Sequence, residues 1–259
     1  MPVVDPTRVS ALLGPTSRWR VEAVEQTGST NDDVLARAGS GEPEGLVLVA
    51  GHQTGGHGRF DRSWVDVPGA GVAMSALLRP TRPVAQWGWL PLLAGLAVVA
   101  GLRDACAELD GRLGLKWPND VLLDGAKCCG ILAVSDLRAA VLGVGVNLCQ
   151  PREQLPAGAT SLALAGEAPD ASAVVAALLA RMDALVSRWE AGASLRDQYR
   201  AASDTLGRDV RVLSASDAVE GRAVDVAEDG ALVVELPGGV RRVFEAGDVV
   251  HLRPGGVAP

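Results

Sequence analysis

The residues best suited to chemistry in this sequence lie between Gly51 and Trp64, which read Gly-His-Gln-Thr-Gly-Gly-His-Gly-Arg-Phe-Asp-Arg-Ser-Trp. Four glycines fall among the first eight residues, and Arg59 and Arg62 follow them. Glycine lets backbone N–H groups approach a ligand, and arginine presents a permanently charged fork for phosphate or carboxylate. The stretch therefore predicts a loop that holds an anionic, phosphorylated ligand. A flexible surface loop with incidental arginines is the alternative.

Lysine and asparagine are scarce in this chain, and they fall near other polar residues. Of 24 basic residues only two are lysines, Lys116 and Lys127. The three asparagines are Asn31, Asn119 and Asn147. Because arginine cannot replace lysine where a compact point charge is needed, we expect function at the positions that keep lysine. The pattern predicts one shared polar site built from four windows, residues 29–31, 53–62, 116–130 and 143–147.

These windows supply positive charge, glycine N–H groups, the carboxylate of Asp120 and several amide or hydroxyl groups. The sequence contains no HExxH or GxxxxGK[ST] motif and no evident Ser/His/Asp or Cys/His arrangement. His52, His57 and His251 show no recognisable carboxylate or cysteine partner, so we expect ordinary surface or loop histidines. The set suits phosphoryl or nucleotidyl transfer that relies on positioning and electrostatics. The residues alone indicate an enzyme that uses a nucleotide.

Alternating strands and helices must bring these windows together. Ser29, Thr30 or Asn31 can cap a helix, and a simple cap is the alternative to a ligand-binding role there. Asp124-Gly125 between two apolar runs predicts a β-hairpin. The remaining patterns predict strands at residues 18–25, 45–50, 70–78 and 141–148, and helices at residues 85–109, 171–189 and 194–202.

The pattern changes near residues 204–208 to short β segments separated by glycine-containing turns. Five such segments predict a small SH3-like barrel, in which we expect no site residues. Its strands are expected at residues 210–213, 221–226, 231–236, 240–244 and 249–252. At the other end, residues 1–18 predict a loose lead-in with at most one short helix, too short for a helix-turn-helix domain.

Composition excludes several classes of protein. A net charge of −7 argues against general nucleic-acid binding, which needs a basic surface. The N-terminus lacks a signal-peptide pattern, and the most apolar run, residues 87–102, is too short to span a membrane. Cys128 and Cys129 have no metal-ligand spacing and predict small buried side chains in a reducing compartment. We therefore expect a cytoplasmic enzyme with no nucleic-acid or membrane partner and no tightly bound metal.

Several motifs resemble, in order and spacing, those of the biotin protein ligases. They are Ser29-Thr30-Asn31, the Gly56–Trp64 loop, Lys116-Trp-Pro-Asn-Asp120, Lys127-Cys-Cys-Gly-Ile-Leu and Gly143-Val-Gly-Val-Asn147. The resemblance implies an α/β (α+β) fold with a mixed β-sheet related to class II aminoacyl-tRNA synthetases, followed by an SH3-like barrel. It implies a lead-in at 1–18, a catalytic domain at 19–205 and a C-terminal domain at 206–254, the monofunctional type without a DNA-binding domain.

The reaction that the resemblance implies has two steps. The carboxylate of biotin attacks the α-phosphate of ATP, with Mg²⁺ as activator, and gives biotinyl-5′-AMP and pyrophosphate. A lysine of the biotin carboxyl carrier domain of an acyl-CoA carboxylase then attacks this mixed anhydride. Biotin and ATP are thus the expected small-molecule substrates, and the carrier domain is the expected transient partner.

The resemblance also assigns roles by position. The catalytic residues would be Arg59, Arg62 and Lys127. Biotin would be bound by Ser29, Thr30, Asn31, Gln53, Gly56, His57, Gly58, Arg59, Asp120, Lys127 and Gly130. ATP and the adenylate would be bound by Arg59, Arg62, Trp64, Lys116, Asn119, Lys127 and Asn147.

The loop departs from the family pattern Gly-Arg-Gly-Arg-x-Gly-Arg-x-Trp at two positions. His57 replaces the first arginine and Asp61 replaces a glycine, so the loop carries less positive charge. We expect an active enzyme that retains its ligands less tightly. The alternatives are a lipoate ligase with the same acyl-adenylate chemistry, a biotin-sensing regulator, and a biotin-binding module with an impaired loop.

Overall fold

Residues 4–60, 62–214 and 217–252 are described by the computed structural model. The larger part of the chain contains, in order, α1 (Pro6–Leu13), β1 (Arg20–Val24), α2 (Thr30–Gly39), β2 (Leu46–Ala50), β3 (Gly71–Leu78), α3 (Trp89–Ala105), β4 (Leu113–Lys116), β5 (Asp120–Leu123), β6 (Ala126–Ser135), β7 (Ala140–Asn147), α4 (Ala171–Glu190) and α5 (Arg196–Ala202). The C-terminal part contains β8 (Asp209–Leu213), β9 (Ala218–Val226), β10 (Leu232–Glu235), β11 (Arg241–Phe244) and β12 (Asp248–His251).

The first seven strands form one sheet in the order β1-β2-β3-β7-β6-β5-β4. β1 and β2 are parallel, and every other neighbouring pair is antiparallel. The predicted mixed sheet is therefore confirmed. The hairpin between β5 and β6 is confirmed as well: Asp124 and Gly125 have φ of 50° and 81°, as a tight hairpin turn requires.

Helices cover the two faces of this sheet unequally. α3 and α4 pack on one face and build the main core, which explains why α3 is apolar on nearly every side. α2 packs on the other face, where Val34 and Ala38 contact Leu46 and Leu77. Beside the N-terminus of α2, the strands of this second face carry glycine instead of large side chains. This leaves an opening on the sheet surface.

The N-terminal segment contains the one short helix expected there, α1, but it is packed against the domain, so only the expectation that the lead-in is loose is wrong. The carboxylate of Asp5 caps α1 by accepting hydrogen bonds from the N–H groups of Thr7 and Arg8. The N–H of Asp5 donates to the hydroxyl of Ser172 on α4 (2.9 Å), and Val9 is fully buried. α1 buries only one side chain, Val9, so its sequence shows no repeating apolar pattern that would have predicted the packing.

The single helix predicted for residues 85–109 is also wrong in its bounds. α3 is shorter, and it is flanked by separate 3₁₀ turns at Val84–Gln86 and Ala107–Leu109. Cys106 interrupts the helical path with an extended backbone (φ −141°, ψ 92°). Continuous hydrophobicity could not reveal the second break, because its turn buries Leu109 as the helix buries its own apolar residues, whereas the first turn buries no side chain.

The five C-terminal strands are confirmed and form a separate antiparallel sheet in the order β11-β10-β9-β8-β12, an SH3-like arrangement. Two tryptophans fasten it to the larger part of the chain. The indole N–H of Trp89 donates to the carbonyl of Glu228 (2.8 Å), and that of Trp117 donates to the carbonyl of Gly230 (3.0 Å). No helix within the described ranges is long and apolar enough to cross a membrane.

All four cysteines lie in the described ranges, and none of them forms a disulfide. Cys128 and Cys129 are fully buried, as predicted. Burial raises the pKa of Cys128 to about 12, so this thiol stays protonated and behaves as a small apolar side chain.

Candidate active site

Two rows of cross-strand neighbours form the base of a pocket on the sheet face beside α2. Each row crosses β3, β7 and β6: Ser75, Gly143 and Leu132 make the first row, and Ala73, Gly145 and Gly130 make the second. The rows lie two residues apart along each strand, so their side chains project from the same face. The pocket above them has a volume of about 150 Å³.

The first row accommodates the side chain of Asn31. A Cβ atom at Gly143 would lie only 2.4 Å from Asn31 Oδ1, so glycine is needed at this position. The amide of Asn31 donates from Nδ2 to the carbonyl of Leu132 (3.1 Å). The side chain of Asn31, at the start of α2, is thereby held against the sheet at β7 and β6.

The second row supports the indole of Trp64. Added Cβ atoms would lie 2.6 Å from this ring at Gly145 and 2.9 Å from it at Gly130. The ring also faces Lys127, whose Nζ lies 5.8 Å from the ring centroid. The Gly-Val-Gly-Val-Asn motif is thus explained by alternation, because its two glycines share one face and make room for Asn31 and Trp64.

One end of the pocket is lined by neutral polar groups. The hydroxyl of Ser29 caps α2 by accepting from the N–H of Asp32 (3.4 Å). Gln53 Oε1 accepts from the N–H of Thr30 (2.8 Å) and lies 3.0 Å from its hydroxyl. The N–H of Gln53 donates in turn to the buried carboxylate of Asp66 (2.5 Å). The Ser29 side chain therefore both caps the helix and lines the pocket. A capping role for this residue is thus compatible with a role in ligand binding.

The other end of the pocket is cationic. Lys127 Nζ lies 2.6 Å from Asp120 Oδ1, and Arg62 contacts the carboxylate of Asp248. Arg59 donates from Nη1 to the carbonyl of Gly247 (2.9 Å). Burial lowers the pKa of Arg59 and the Asp120 carboxylate opposes that change, yet a guanidinium remains charged at any ordinary pH. This end can neutralise a phosphate group.

Most of the predicted site residues line this pocket: Ser29, Thr30, Asn31, Gln53, His57, Gly58, Arg59, Arg62, Trp64, Asn119, Asp120, Lys127 and Gly130. Chain segments that are distant in sequence are therefore brought together by the fold.

Three predicted residues lie outside the pocket lining. The carbonyl of Gly56 accepts from the N–H of Trp64 (2.8 Å) and so shapes the loop. Asn147 is 4% exposed and donates to the carbonyl of Thr160 (2.9 Å), which orders the segment after β7. Lys116 lies on β4, where burial lowers its pKa.

The sequence interpretation missed several lining residues: Ser63, Ala73, Met74, Ile131, Leu132, Gly143, Val144, Gly145 and Asp248. Gly143, Val144 and Gly145 fell inside a predicted window, and their alternation was the signal that could have identified them. The expectation of no site residues in the barrel is wrong, because Gly247 and Asp248 contact the loop arginines. No sequence signal distinguished Asp248 from other acidic residues of the barrel.

The expectation that the histidines lack carboxylate or cysteine partners is wrong for His52 and His57. His52 Nδ1 lies 3.2 Å from Asp66, and His57 Nε2 lies 3.2 Å from Asp32. His251 Nε2 lies 3.1 Å from the hydroxyl of Thr205. The other unusual loop position, Asp61, lies outside the described residues.

Comparisons with known proteins agree with this geometry. Residues 23–148 match the family model described as the biotin/lipoate A/B protein ligase family, and residues 205–252 match the biotin protein ligase C terminal domain. The chain is 45% identical over 248 residues to a Mycobacterium tuberculosis protein named biotin--[acetyl-CoA-carboxylase] ligase, which covers 93% of each chain. A protein of the same name from Paracoccus denitrificans is 32% identical over 238 residues, covering 86% of this chain and 97% of that protein.

A solved structure of a biotin protein ligase has a similar fold. The biotin protein ligase from Aquifex aeolicus, in complex with biotin and ATP, superposes with a TM-score of 0.77 at 25% sequence identity. The match covers 90% of this chain and 99% of that chain. The mixed sheet and the C-terminal barrel therefore follow an architecture already seen with both small molecules bound.

Proposed function

This chain belongs to the biotin protein ligase family, and on that premise we propose that it converts biotin and ATP into biotinyl-5′-AMP and then transfers biotin to a lysine of a carrier protein. One observation carries the proposal: a single pocket joins a neutral, hydrogen-bonding end to a cationic end. An acyl-adenylate has the same two parts, a polar ring system and a phosphate, joined through the reacting carboxylate.

The neutral end is suited to biotin. Ser29, Thr30, Asn31 and Gln53 present hydroxyl and amide groups that can donate to and accept from a cyclic urea. We propose that these side chains, with the backbone at Gly58, orient biotin so that its carboxylate points toward Lys127. The hydrogen bonds among them fix the group positions before ligand arrives, which reduces the entropy lost on binding.

The cationic end is suited to the first chemical step. A carboxylate oxygen of biotin attacks the α-phosphorus, a new P–O bond forms, and the bond to pyrophosphate breaks. Lys127 and Arg59 neutralise the charge that gathers between carboxylate and phosphate, and Arg62 accompanies the leaving pyrophosphate. Loss of one such group typically costs a factor of about 10² to 10³ in rate. Asp120, which contacts Lys127, holds that ammonium in place before ATP binds.

The loop that carries Arg59, Arg62 and Trp64 must open and close during this step. The pocket of about 150 Å³ is smaller than typical ligand sites of roughly 300–1,000 Å³, because Trp64 covers the glycines of the second row. We propose that the loop moves outward to admit the substrates and then closes over the adenylate. Closure would exclude water from the reactive anhydride.

The second step needs a path for a lysine. A groove of about 570 Å³ adjoins the pocket through Arg59 and Asn119, and it carries the carboxylates of Asp229 and Glu245. We propose that the carrier domain of an acyl-CoA carboxylase presents its lysine here. The neutral amine attacks the acyl carbon, the bond between that carbon and the phosphate oxygen breaks, AMP leaves, and the nitrogen loses a proton to solvent as the amide bond forms.

The remaining proposals concern Mg²⁺, the compartment and the domain division. Mg²⁺ would enter with ATP, since it usually binds phosphates and one or two carboxylates, and Asp120 and Asp248 stand near the expected polyphosphate. Use of ATP and of a carboxylase carrier favours the cytoplasm. The proposed catalytic domain, residues 19–205, ends between α5 and β8, and the C-terminal family match begins at residue 205.

The test is to incubate the purified chain with biotin, ATP and Mg²⁺ and to look for biotinyl-AMP by mass spectrometry. We expect that product and a biotin-dependent exchange of pyrophosphate into ATP. A parallel reaction contains lipoate instead of biotin. Lipoyl-AMP formed in preference to biotinyl-AMP would show a lipoate ligase, and no adenylate from correctly folded protein would show a binding module.

A further inference from the structure

Ser75 occupies a position on β3 that connects two residues of the pocket. It is fully buried, and its Oγ lies 2.7 Å from Thr30 Oγ1 and 2.7 Å from Asn31 Oδ1. Thr30 and Asn31 open α2, whereas Ser75 lies in the middle of the sheet. The serine hydroxyl therefore joins the start of the helix to the sheet at the neutral end of the pocket.

The chemistry of the two neighbours fixes the direction of these hydrogen bonds. Asn31 uses its Nδ2 to donate to the carbonyl of Leu132, so its Oδ1 is the acceptor that faces Ser75. A hydroxyl has one proton, and Asn31 Oδ1 can only accept. Ser75 thus donates to Asn31, and the single proton of the Thr30 hydroxyl is shared between Ser75 Oγ (2.7 Å) and Gln53 Oε1 (3.0 Å).

Asn31 has no room to find another donor. It is 6% exposed, and its Oδ1 would lie 2.4 Å from a Cβ at Gly143, the residue directly opposite Ser75 on β7. Its Nδ2 is held at the other side by Leu132. The cross-strand pair of Ser75 and Gly143 thus acts jointly on one amide, because glycine gives the space and serine gives the proton.

The same hydroxyl belongs to a longer connected set. The hydroxyl of Thr30 lies 3.0 Å from Gln53 Oε1, and the N–H of Gln53 donates to the carboxylate of Asp66. Ser75 is the member of this set that lies in the sheet and has no access to the pocket. Its influence on a ligand must therefore pass through Thr30 and Asn31.

We propose that Ser75 is a positioning residue for the neutral end of the site: its hydroxyl fixes the side chains of Thr30 and Asn31 in the orientation that receives the ring system of biotin. This inference rests on the proposed function for the identity of the ligand. Without the hydroxyl, Asn31 Oδ1 is buried and unpaired, and Thr30 loses one of its two polar neighbours. The ligand must then reorder both side chains as it binds.

Two variants separate the hydrogen bond from packing. Ser75→Ala removes the hydroxyl, and Ser75→Cys fills nearly the same volume with a much weaker donor. A matched control is Ser172→Ala, because the hydroxyl of Ser172 is also buried and bonded, but to the N–H of Asp5 far from the pocket. All three proteins and the wild type are assayed for biotin-dependent pyrophosphate exchange, with biotin and ATP varied separately.

We expect KM for biotin to rise about tenfold in Ser75→Ala and nearly as much in Ser75→Cys, the size of one buried hydrogen bond. KM for ATP and kcat should change less than about twofold, because the cationic end keeps its contacts. Ser172→Ala should match the wild type in all three constants. A rise in KM for biotin without a rise in KM for ATP distinguishes a positioning role from a general loss of stability, because lower stability would affect both values.

Three results would overturn the inference: an unchanged KM for biotin in Ser75→Ala, an equal rise of both KM values, or full recovery in Ser75→Cys, which would show that only volume matters. If Ser75→Ala does not fold, Ser75→Cys supplies the comparison. Failure of the proposed function is distinguishable, because then the wild type and Ser172→Ala would also form no biotinyl-AMP.

Discussion

Gly130 and Gly145 stand directly opposite each other on β6 and β7, and the indole of Trp64 lies over both of them. A side chain at either position would occupy the space of the ring. The strands thus form a flat support on which the loop can close. Since the loop also carries Arg59 and Arg62, the fit of one aromatic ring to two glycines places both arginines at the cationic end.

Replacement of Gly145 by alanine should disturb this support. The new Cβ would lie 2.6 Å from the Trp64 ring, so the ring must move and the loop must close less completely. Overpacking of this kind costs about 1–3 kcal/mol, and we expect KM for ATP to rise about tenfold. KM for ATP is measured by steady-state pyrophosphate exchange. Gly39→Ala is the control, since a Cβ there meets nothing within 4 Å; equal effects of the two substitutions would contradict the role of Trp64.

The two lysines of the chain should differ sharply in importance. Lys127 lines the pocket and lies 2.6 Å from Asp120, whereas Lys116 is outside the lining. Lys127→Met should lower the rate of adenylate formation by a factor of about 10² to 10³, and Lys116→Met should lower it far less. Single-turnover formation of biotinyl-AMP, followed by mass spectrometry, compares them. If Lys116→Met lowered the rate more than Lys127→Met, Lys116 would be the lysine that stabilises the reacting phosphate.

Asp248 should support ATP binding although it belongs to the barrel. Its carboxylate contacts Arg62, whose side chain is 64% exposed, so the pair contributes no more than about 1 kcal/mol. Asp248→Asn should therefore raise KM for ATP up to about fivefold and leave KM for biotin unchanged. Asp104→Asn, which breaks an Asp–Arg pair with Arg181 on the helices, is the charge-matched control. A fall in KM for ATP would mean that Asp248 competes with phosphate for the arginines.

Stability should depend on the protonation of His251. Burial, with Lys116 and Arg208 nearby, lowers the pKa of this imidazole from 6.5 to about 4, and Asp204 opposes the change. In the unfolded chain the imidazole binds its proton near pH 6.5, so unfolding takes up a proton between pH 6.5 and 4. The contribution of His251 is complete above pH 6.5 and is lost as the pH falls toward 4.

Thermal unfolding across this pH range provides the measurement. His251→Gln should reduce the fall of Tm on acidification, because glutamine can still accept from Thr205 but does not titrate. An unchanged slope in His251→Gln would assign the acid sensitivity to other groups.

Local chemistry explains what could be predicted. The hairpin at Asp124-Gly125 follows from residues that accept positive φ, and the start of α2 follows from the capping hydroxyl of Ser29. The barrel strands follow from alternation and turn residues. In each case the signal and the structure lie within a few residues of one another, so no knowledge of distant contacts was needed.

The sequence by itself therefore determined most of the strands and helices, the order of the motifs and their likeness to biotin protein ligases, and thus most of the residues now seen around the pocket. Only the tertiary structure decided that Asp248 contacts Arg62, that Ser75 and Gly143 hold Asn31 together, and that Asn147 and Lys116 lie outside the pocket lining. The physical reason is that these relationships join residues far apart in the chain through strand register and domain packing. Spacing in a sequence carries local backbone preferences, whereas the meeting of two distant side chains depends on how the whole chain packs.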